Sequence, residues 1–304
     1  MSKKPMTLRK FWHKNYGQVF LHFFFIIIAL CYILPLLITV STSFTAEDAL
    51  KDPEKGFGII PSEFSLEGYK QIFRKPEQII NGYKVTVAFS VLATALHLFT
   101  IGLFAYPLSR DHFVFRKPLN FLILIMMLFT AGSVPGYIIN TQYLNLGNSF
   151  WIYVLPSAFS AYNCILIRTN YKAVPSELLE SARIDGASEL RICFSIVIPL
   201  SKATLASVGF LFLVGKWNEW TTCQIYIQDM ELYSLQYLLQ RILMDSEFIK
   251  QMIEMGEVHE SQVTMPTESL RYAMAVVAAG PMMFVFPFFQ KYFAKGMTLG
   301  SVKG

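Results

Sequence analysis

Six long apolar runs constrain the fold of this chain more than any other feature. They lie at residues 19–44, 83–108, 119–140, 150–169, 196–220 and 270–293. An α-helix needs about 20 apolar residues to cross the hydrocarbon core of a bilayer. Inside lipid the backbone has no water to bond, so spanning segments of this kind are helical. The runs predict an all-α integral membrane protein with about six transmembrane helices.

The composition supports a membrane location and argues against an ordinary soluble enzyme. Hydrophobic residues make up 54% of the chain, charged residues 15%, and the mean hydropathy is +0.42. Soluble domains carry about 25% charged residues. The net charge is +5, but the basic residues form no cluster interleaved with aromatic residues. We therefore expect membrane lipid and no nucleic acid as a partner. The four cysteines form no C-x-x-C pair, and no metal site is predicted.

Lysine and arginine in the short loops set the expected orientation, because such loops are rich in them on the cytoplasmic side. The positive charges fall in 109–118 and 171–195, whereas 141–149 has no charge. Both termini are therefore predicted to be cytoplasmic in a multi-pass protein of the plasma or inner membrane. The first apolar run is too long for a signal peptide and is retained. The predicted partition is a cytoplasmic segment at 1–18, a first transmembrane helix at 19–44, an extracytoplasmic loop at 45–82, a transmembrane core at 83–293 and a cytoplasmic tail at 294–304.

The cytoplasmic loop at 171–199 has the most specific pattern. Pro175 suits a first helical turn, and Glu177 lies near the positive end of a helix dipole. Asp185-Gly186 then ends the helix, since glycine accepts a left-handed conformation. A second short helix is predicted from Ser188 to Pro199. The result is a helix–turn–helix with an exposed apolar edge, which is typical of a docking surface.

The same loop resembles a known family. It contains Glu180-Ser181-Ala182, three residues, Gly186, nine residues, and Ile196-Val197-Ile198-Pro199. This resembles the E-A-A, glycine and I-x-L-P pattern of the membrane subunits of binding-protein-dependent ABC importers, with Ser181 for alanine and Ile198 for leucine. The D-G-A at 185–187, the W-N-E at 217–219 and the tail at 295–304 resemble the maltose and oligosaccharide branch.

The resemblance implies a type-1 importer core at 83–293, with a coupling helix that inserts into a groove of an ATPase subunit. The expected docking residues are Glu180, Ser181, Ala182, Asp185, Gly186, Ala187, Ile196 and Pro199. The implied partners are a second permease subunit, two ATPase subunits and an extracytoplasmic solute-binding protein. No G-x-x-x-x-G-K-[ST] phosphate loop occurs in the sequence. We therefore expect ATP and Mg to bind the partner ATPases, and this chain to bind no cofactor and catalyse no reaction.

Polar residues within two spans are candidates for the solute path. They are Ser157, Ser160, Tyr162 and Asn163 in the fourth span, and Trp217, Asn218 and Glu219 in the fifth. The fourth-span set either lines the path or hydrogen-bonds between helices. The fifth-span tryptophans either stack on sugar rings or lie at the membrane interface, and Lys216 could pair with Glu219. Few charges in the spans favour a neutral polyol, and the resemblance favours an oligosaccharide.

Two further points stay open. The apolar residues of 232–243, in the outer loop at 221–269, have helical spacing and predict an amphipathic helix that lies on the membrane or its own spans, or supports an external partner. The competing functions are a permease for amino acids or peptides, a secondary transporter or channel, and a membrane-embedded enzyme. A secondary transporter would favour paired repeats and intramembrane carboxylates, but no repeat is evident and acidic residues are nearly missing from the spans. An enzyme would need a cluster of catalytic side chains, and no such cluster occurs in the sequence.

Overall fold

The computed structural model describes residues 8–52, 56–74, 76–255 and 267–296. Helices account for most of these residues, and within them the β-structure consists of one isolated bridge between Thr45 and Phe64. The predicted all-α class is confirmed. Residues 1–7, 256–266 and 297–304, which include most of the predicted tail, lie outside the described ranges.

The helices have the following bounds in chain order: α1 Leu8–Ser43, α2 Glu47–Leu50, α3 Glu67–Ile72, α4 Pro76–Ser109, α5 Arg116–Leu128, α6 Ser133–Ile138, α7 Ala161–Lys172, α8 Ser176–Ile184, α9 Glu189–Ile192, α10 Ile198–Leu200, α11 Lys202–Trp217, α12 Thr221–Tyr226, α13 Leu235–Glu254 and α14 Glu268–Gly296. Shorter segments of other helical types are the π-helices Ile139–Tyr143 and Cys193–Val197 and the 3₁₀ turns Phe150–Tyr153, Leu155–Ser157 and Met230–Leu232.

Three helical segments are long and apolar enough to cross a membrane, namely Gly17–Ser43, Pro76–Ser109 and Glu268–Gln290. Three bent helix pairs bring the number of spans to six if each pair is one span. The count of about six therefore agrees with the sequence, but the third, fourth and fifth runs are not the continuous helices that we predicted.

Local backbone features explain these bends. The third run bends by 112° between α5 and α6, where Gly132 adopts φ +89°. The fourth bends by 47° where Pro156 lies in a 3₁₀ turn and Ser160 caps α7. The fifth bends by 77° between α10, which contains Pro199, and α11. Glycine and proline both weaken the regular helical ladder at such points.

The chain divides into two compact units, of which the first contains the described residues up to Arg74 together with Ser246–Val277. In this unit the carboxylate of Glu47 accepts hydrogen bonds from the backbone N–H groups of Glu268 and Ser269, at 3.1 and 3.0 Å. These are donors that a helix leaves free in its first turn, and a negative charge there also suits the helix dipole. Glu47 thus caps the start of α14.

The second unit contains residues 76–245 and the described residues from Ala278 onward. Its core forms where α4 packs against α7 and α11. Gly209 of α11 lies close to Leu98 of α4, because an added Cβ would lie 2.7 Å from a methyl carbon of that leucine and would force its side chain to shift. Small residues commonly allow such contacts between membrane helices.

The start of α13 also belongs to this unit and resolves part of the open question about 232–243. Leu235 and Leu238 are buried, and the backbone N–H of Leu235 donates to the hydroxyl of Thr86 at 2.9 Å. A Cβ at Gly82 would lie 3.0 Å from Leu238. The apolar face of this helix therefore begins by packing on the chain's own span, α4.

A candidate coupling loop and a candidate solute pocket

The loop after α7 folds into the predicted helix, turn and second helix. α8 ends at Ile184, and Gly186 adopts φ +78° in the turn that follows. The N–H of Ala187 donates to the carbonyl of Ala182 at 2.9 Å, and the N–H of Gly186 to that of Arg183 at 3.0 Å. These two bonds form a Schellman motif, which satisfies the last carbonyls of a helix and requires a left-handed residue.

Two details of this loop differ from the sequence prediction. Pro175 stands at the N-cap of α8, one residue before the first turn. The second helix includes the π segment Cys193–Val197, and Pro199 lies inside α10 instead of ending the helix. The π segment continues without a break into α10, so Pro199 lies inside one helical stretch, where its missing N–H removes a hydrogen bond shortly before the bend into α11.

The predicted docking residues lie at the surface of the loop. Glu180, Ser181, Asp185, Gly186 and Pro199 are exposed, and Ala182, Ala187 and Ile196 are half-buried. Beside them Leu178, Leu190 and Ile184 are exposed, Ile184 by 86%, whereas Leu179 is only 3% exposed and packs into the core of the second unit. The loop therefore presents an apolar edge while one leucine anchors α8.

Charged side chains join this loop to the end of α4. The Arg183 guanidinium donates to one oxygen of Glu189 at 2.8 Å, and the Tyr106 hydroxyl donates to the other at 2.6 Å. Arg110 lies 5.2 Å over the Tyr106 ring and donates to the carbonyl of Tyr171 at 2.8 Å. The bond to Glu189 raises the pKa of Arg183, whereas burial lowers the pKa of Arg110. The sequence reading used these arginines only as orientation signals.

A pocket of about 490 Å³ opens between α7 and α11. It is lined by Tyr162, Asn163, Leu166, Val208, Leu211, Phe212, Gly215, Lys216 and Glu219. The structure thus brings together three of the predicted solute residues, Tyr162, Asn163 and Glu219, along with Lys216. It places the other four outside this lining.

Two of those four residues stabilise local backbone structure. The hydroxyl of Ser157 donates to the carbonyls of Val154 and Tyr153, at 3.0 and 3.3 Å. The hydroxyl of Ser160 accepts from the N–H of Asn163 and caps α7. Caps and turns are the usual roles of such hydroxyls.

The fifth-span residues divide at the end of α11. Trp217 is buried, and its indole donates to the carbonyl of Ala278 at 2.9 Å, so it neither faces the pocket nor lies at an exposed interface. Asn218 is exposed and donates to the carbonyl of Val214. The helix therefore directs Trp217 toward Ala278 and Lys216 toward the pocket.

Lys216 and Glu219 do not form the ion pair that their spacing allowed. The Lys216 ammonium donates to the carbonyl of Tyr153 at 3.3 Å. Glu219 accepts from the N–H of Thr222 at 3.0 Å, near the start of α12. Because each group has a backbone partner of its own, both line the pocket without an ion pair.

One residue behind the pocket, His97, was not among the candidates from the sequence. His97 of α4 is completely buried, and its ring stacks on Phe212 with centroids 3.8 Å apart and planes inclined by 4°. Its Nδ1 lies 3.1 Å from the carbonyl oxygen of Ser157, and its Nε2 lies 2.9 Å from Nδ2 of Asn163. A lone histidine in an apolar run gives no local sign of such partners.

Residues 90–299 match the family described as binding-protein-dependent transport system inner membrane component. The chain belongs to this family. The permease is 38% identical to the polygalacturonan/rhamnogalacturonan transport system permease protein YtcP of Bacillus subtilis (strain 168), over 92% of this chain and 96% of that protein. It is 26% identical to the maltodextrin transport system permease protein MdxG of the same organism, over 95% and 97%.

A solved structure gives the same result. The permease superposes with a TM-score of 0.75 and 25% identity on a chain in the crystal structure of a bacterial ABC transporter involved in the import of the acidic polysaccharide alginate, over 96% of this chain and 100% of that one. These matches confirm the resemblance found in the loop. The protein is a membrane permease component of an ABC importer, a transport protein rather than an enzyme.

Proposed function

We propose that this permease forms half of the translocation path for a carbohydrate, most simply an oligosaccharide. Its similarity to permeases named for polygalacturonan/rhamnogalacturonan and for maltodextrin, and to an alginate importer, supports the solute class. The pocket between α7 and α11 suits that class, because it combines aromatic rings with a few polar groups.

The observation that carries the importer role in this proposal is the Schellman turn of α8. Ala182, Gly186 and Ala187 belong to the family pattern, and their backbone groups close the turn together with the carbonyl of Arg183. The turn holds the exposed side chains of Leu178 and Ile184 on a rigid helix, as a docking element requires. In this role α8 inserts into an ATPase subunit and moves as a lever between two arrangements of the importer.

Energy and solute delivery come from partner proteins in this proposal. ATP and Mg bind two separate ATPase subunits, a second permease completes the path, and an extracytoplasmic binding protein delivers the solute. The lysine and arginine residues of 109–118 and of 171–195 support a cytoplasmic loop at 171–199 and cytoplasmic termini.

The test is purification of the permease in detergent from cells that express it with its partners. We expect an ATPase subunit and a second permease to copurify, and ATP hydrolysis in the reconstituted complex with its binding protein to rise with sugars. The panel contains maltotriose, galactotriose, trigalacturonate, amino acids and peptides. Stimulation by amino acids or peptides alone would assign another solute class, and uptake without any ATPase subunit would indicate a secondary transporter.

A further inference from the structure

His97 lies behind the pocket and contacts two of its lining residues, Asn163 and Phe212. It is 0% exposed within the span Pro76–Ser109, yet both of its ring nitrogens contact polar atoms. Burying polar groups at membrane depth is costly unless each has a partner. The two partners of the ring therefore restrict which of its tautomers can exist in this environment.

The carbonyl oxygen of Ser157 decides the tautomer. It can only accept a hydrogen bond, so the Nδ1 atom 3.1 Å away must carry a proton. In a neutral imidazole the other nitrogen, Nε2, is then an acceptor. The group that contacts Nε2 at 2.9 Å must donate, and in Asn163 only the amide nitrogen can do so.

The orientation of Asn163 follows from that bond. Because one N–H of Nδ2 donates to His97, the amide oxygen Oδ1 and the second N–H of Nδ2 remain for the pocket that Asn163 lines. Stacking on Phe212, another lining residue, fixes the plane of the imidazole and therefore the direction of the bond. Sequence alone leaves the two ends of the amide interchangeable.

The pocket then has a defined set of polar groups. Asn163 Oδ1 and the carboxylate of Glu219 accept hydrogen bonds, whereas the ammonium of Lys216 and the second N–H of Asn163 donate. The formal charges of Lys216 and Glu219 cancel. The rings of Tyr162 and Phe212 supply flat apolar surface. A ligand that both donates and accepts hydrogen bonds, carries no net charge and has an apolar face fits this set.

We propose that this pocket is a subsite for one neutral, hydroxyl-bearing sugar unit, and that His97 is the positioning residue that orients Asn163 toward it. The proposal rests on the carbohydrate function above and adds where on this chain the solute binds. Sugar hydroxyls donate to Asn163 and Glu219 and accept from Lys216, while a ring face lies against Tyr162. A carboxylate on the ligand only accepts hydrogen bonds, so it is disfavoured next to the two acceptors, Asn163 Oδ1 and Glu219.

The test measures direct binding by saturation-transfer NMR on the complete importer in nanodiscs, without the binding protein. The probes are maltotriose, galactotriose and trigalacturonate. We expect at least one neutral trisaccharide to bind, and Asn163→Leu and His97→Leu to raise its apparent dissociation constant by about fivefold, the factor expected for one hydrogen bond. His97→Gln should retain near-normal binding, since its amide oxygen can accept from Asn163.

Matched variants separate positioning from general damage. His22→Leu changes an exposed histidine of α1 and should bind as the wild type does. Unchanged binding in both Asn163→Leu and His97→Leu would overturn the subsite. A loss in His97→Gln equal to that in His97→Leu would overturn the positioning role, and preference for trigalacturonate would overturn the neutral class.

The carbohydrate function itself is tested separately, by sugar-stimulated ATP hydrolysis of the wild type. If sugars stimulate hydrolysis but the variants bind normally, only the subsite fails. If no sugar stimulates hydrolysis, the proposed function fails. Copurification of the ATPase subunit with each variant shows that the importer has assembled.

Discussion

Arg183 and Glu189 bridge the turn that follows α8, with 2.8 Å between Nε and Oε1. Tyr106 of α4 donates to the second oxygen of the same carboxylate. The carboxylate of Glu189 therefore connects Arg183 of the loop to Tyr106 near the end of α4. Both members of the ion pair are partly exposed, so its contribution to stability is expected to be below about 1 kcal/mol. We expect the ion pair to matter chiefly because it fixes the orientation of α8.

Removing the Glu189 charge should weaken coupling more than stability. In Glu189→Gln we expect sugar-stimulated ATP hydrolysis to fall by about two- to fivefold, the range for one weakened charged hydrogen bond, while thermal stability changes little. Tyr106→Phe removes only one of the two bonds and should give a smaller loss. Glu77→Gln, at an exposed acid of α4, is the control. Wild-type stimulation in Glu189→Gln would show that the bridge plays no part in coupling.

Gly186→Val should impair transport through the backbone alone. The site has φ +78° and no atom within 4 Å of an added Cβ, so the penalty is conformational, about 1–2 kcal/mol. Gly186→Asn should be milder, because asparagine tolerates this region. Gly136→Val adds the same side chain in open space without positive φ. Uptake and the amount of inserted protein are measured, and normal uptake in Gly186→Val would contradict the role of this turn.

Gly209→Val should destabilise the second unit by steric overlap. Its Cβ would meet the Leu98 side chain at 2.7 Å, and overpacking of this kind costs about 1–3 kcal/mol. The measurement is the melting temperature of the detergent-solubilised importer. Gly280→Val is the control, since nothing lies within 4 Å of its Cβ. Equal melting temperatures for the two variants would mean that α11 can move away from α4 at little cost.

The orientation can be read by cysteine labelling. In a Cys31→Ser background, which removes the exposed native thiol, Gln142→Cys should react with an impermeant maleimide on intact cells, and Ser188→Cys only after lysis. Both positions are exposed. Gln142 avoids the neighbouring Asn145, whose φ of +50° a cysteine would tolerate less well. The reverse labelling pattern would invert the proposed topology.

The features that the sequence predicted well are those set by neighbouring residues. Apolar runs identify the spans because span length depends on the bilayer, and Gly186 identifies the helix end because its conformation is local. The bend at Gly132 was missed, since an isolated glycine does not reveal its own φ.

Long-range partners were beyond a local reading. Tyr106 and Glu189 are 83 positions apart, and His97 and Asn163 are 66 apart. The sequence offered Trp217 as a candidate for the solute path, but its indole donates to the carbonyl of Ala278. The rotation of α11 that produces this contact depends on packing against helices that are distant in sequence. The sequence therefore indicated which polar residues to consider, while packing determined which of them share a pocket.

The cap that Glu47 provides for α14 has a consequence for biosynthesis. Its first backbone donor belongs to a residue 221 positions later. At about 5–20 residues per second, a ribosome needs roughly 11–44 s to reach it. By then residues 76–245 have all been made and can pack, whereas the carboxylate still lacks the donors of α14. The first unit is therefore completed only near the end of translation, and a chain that stops before Glu268 leaves it without this cap.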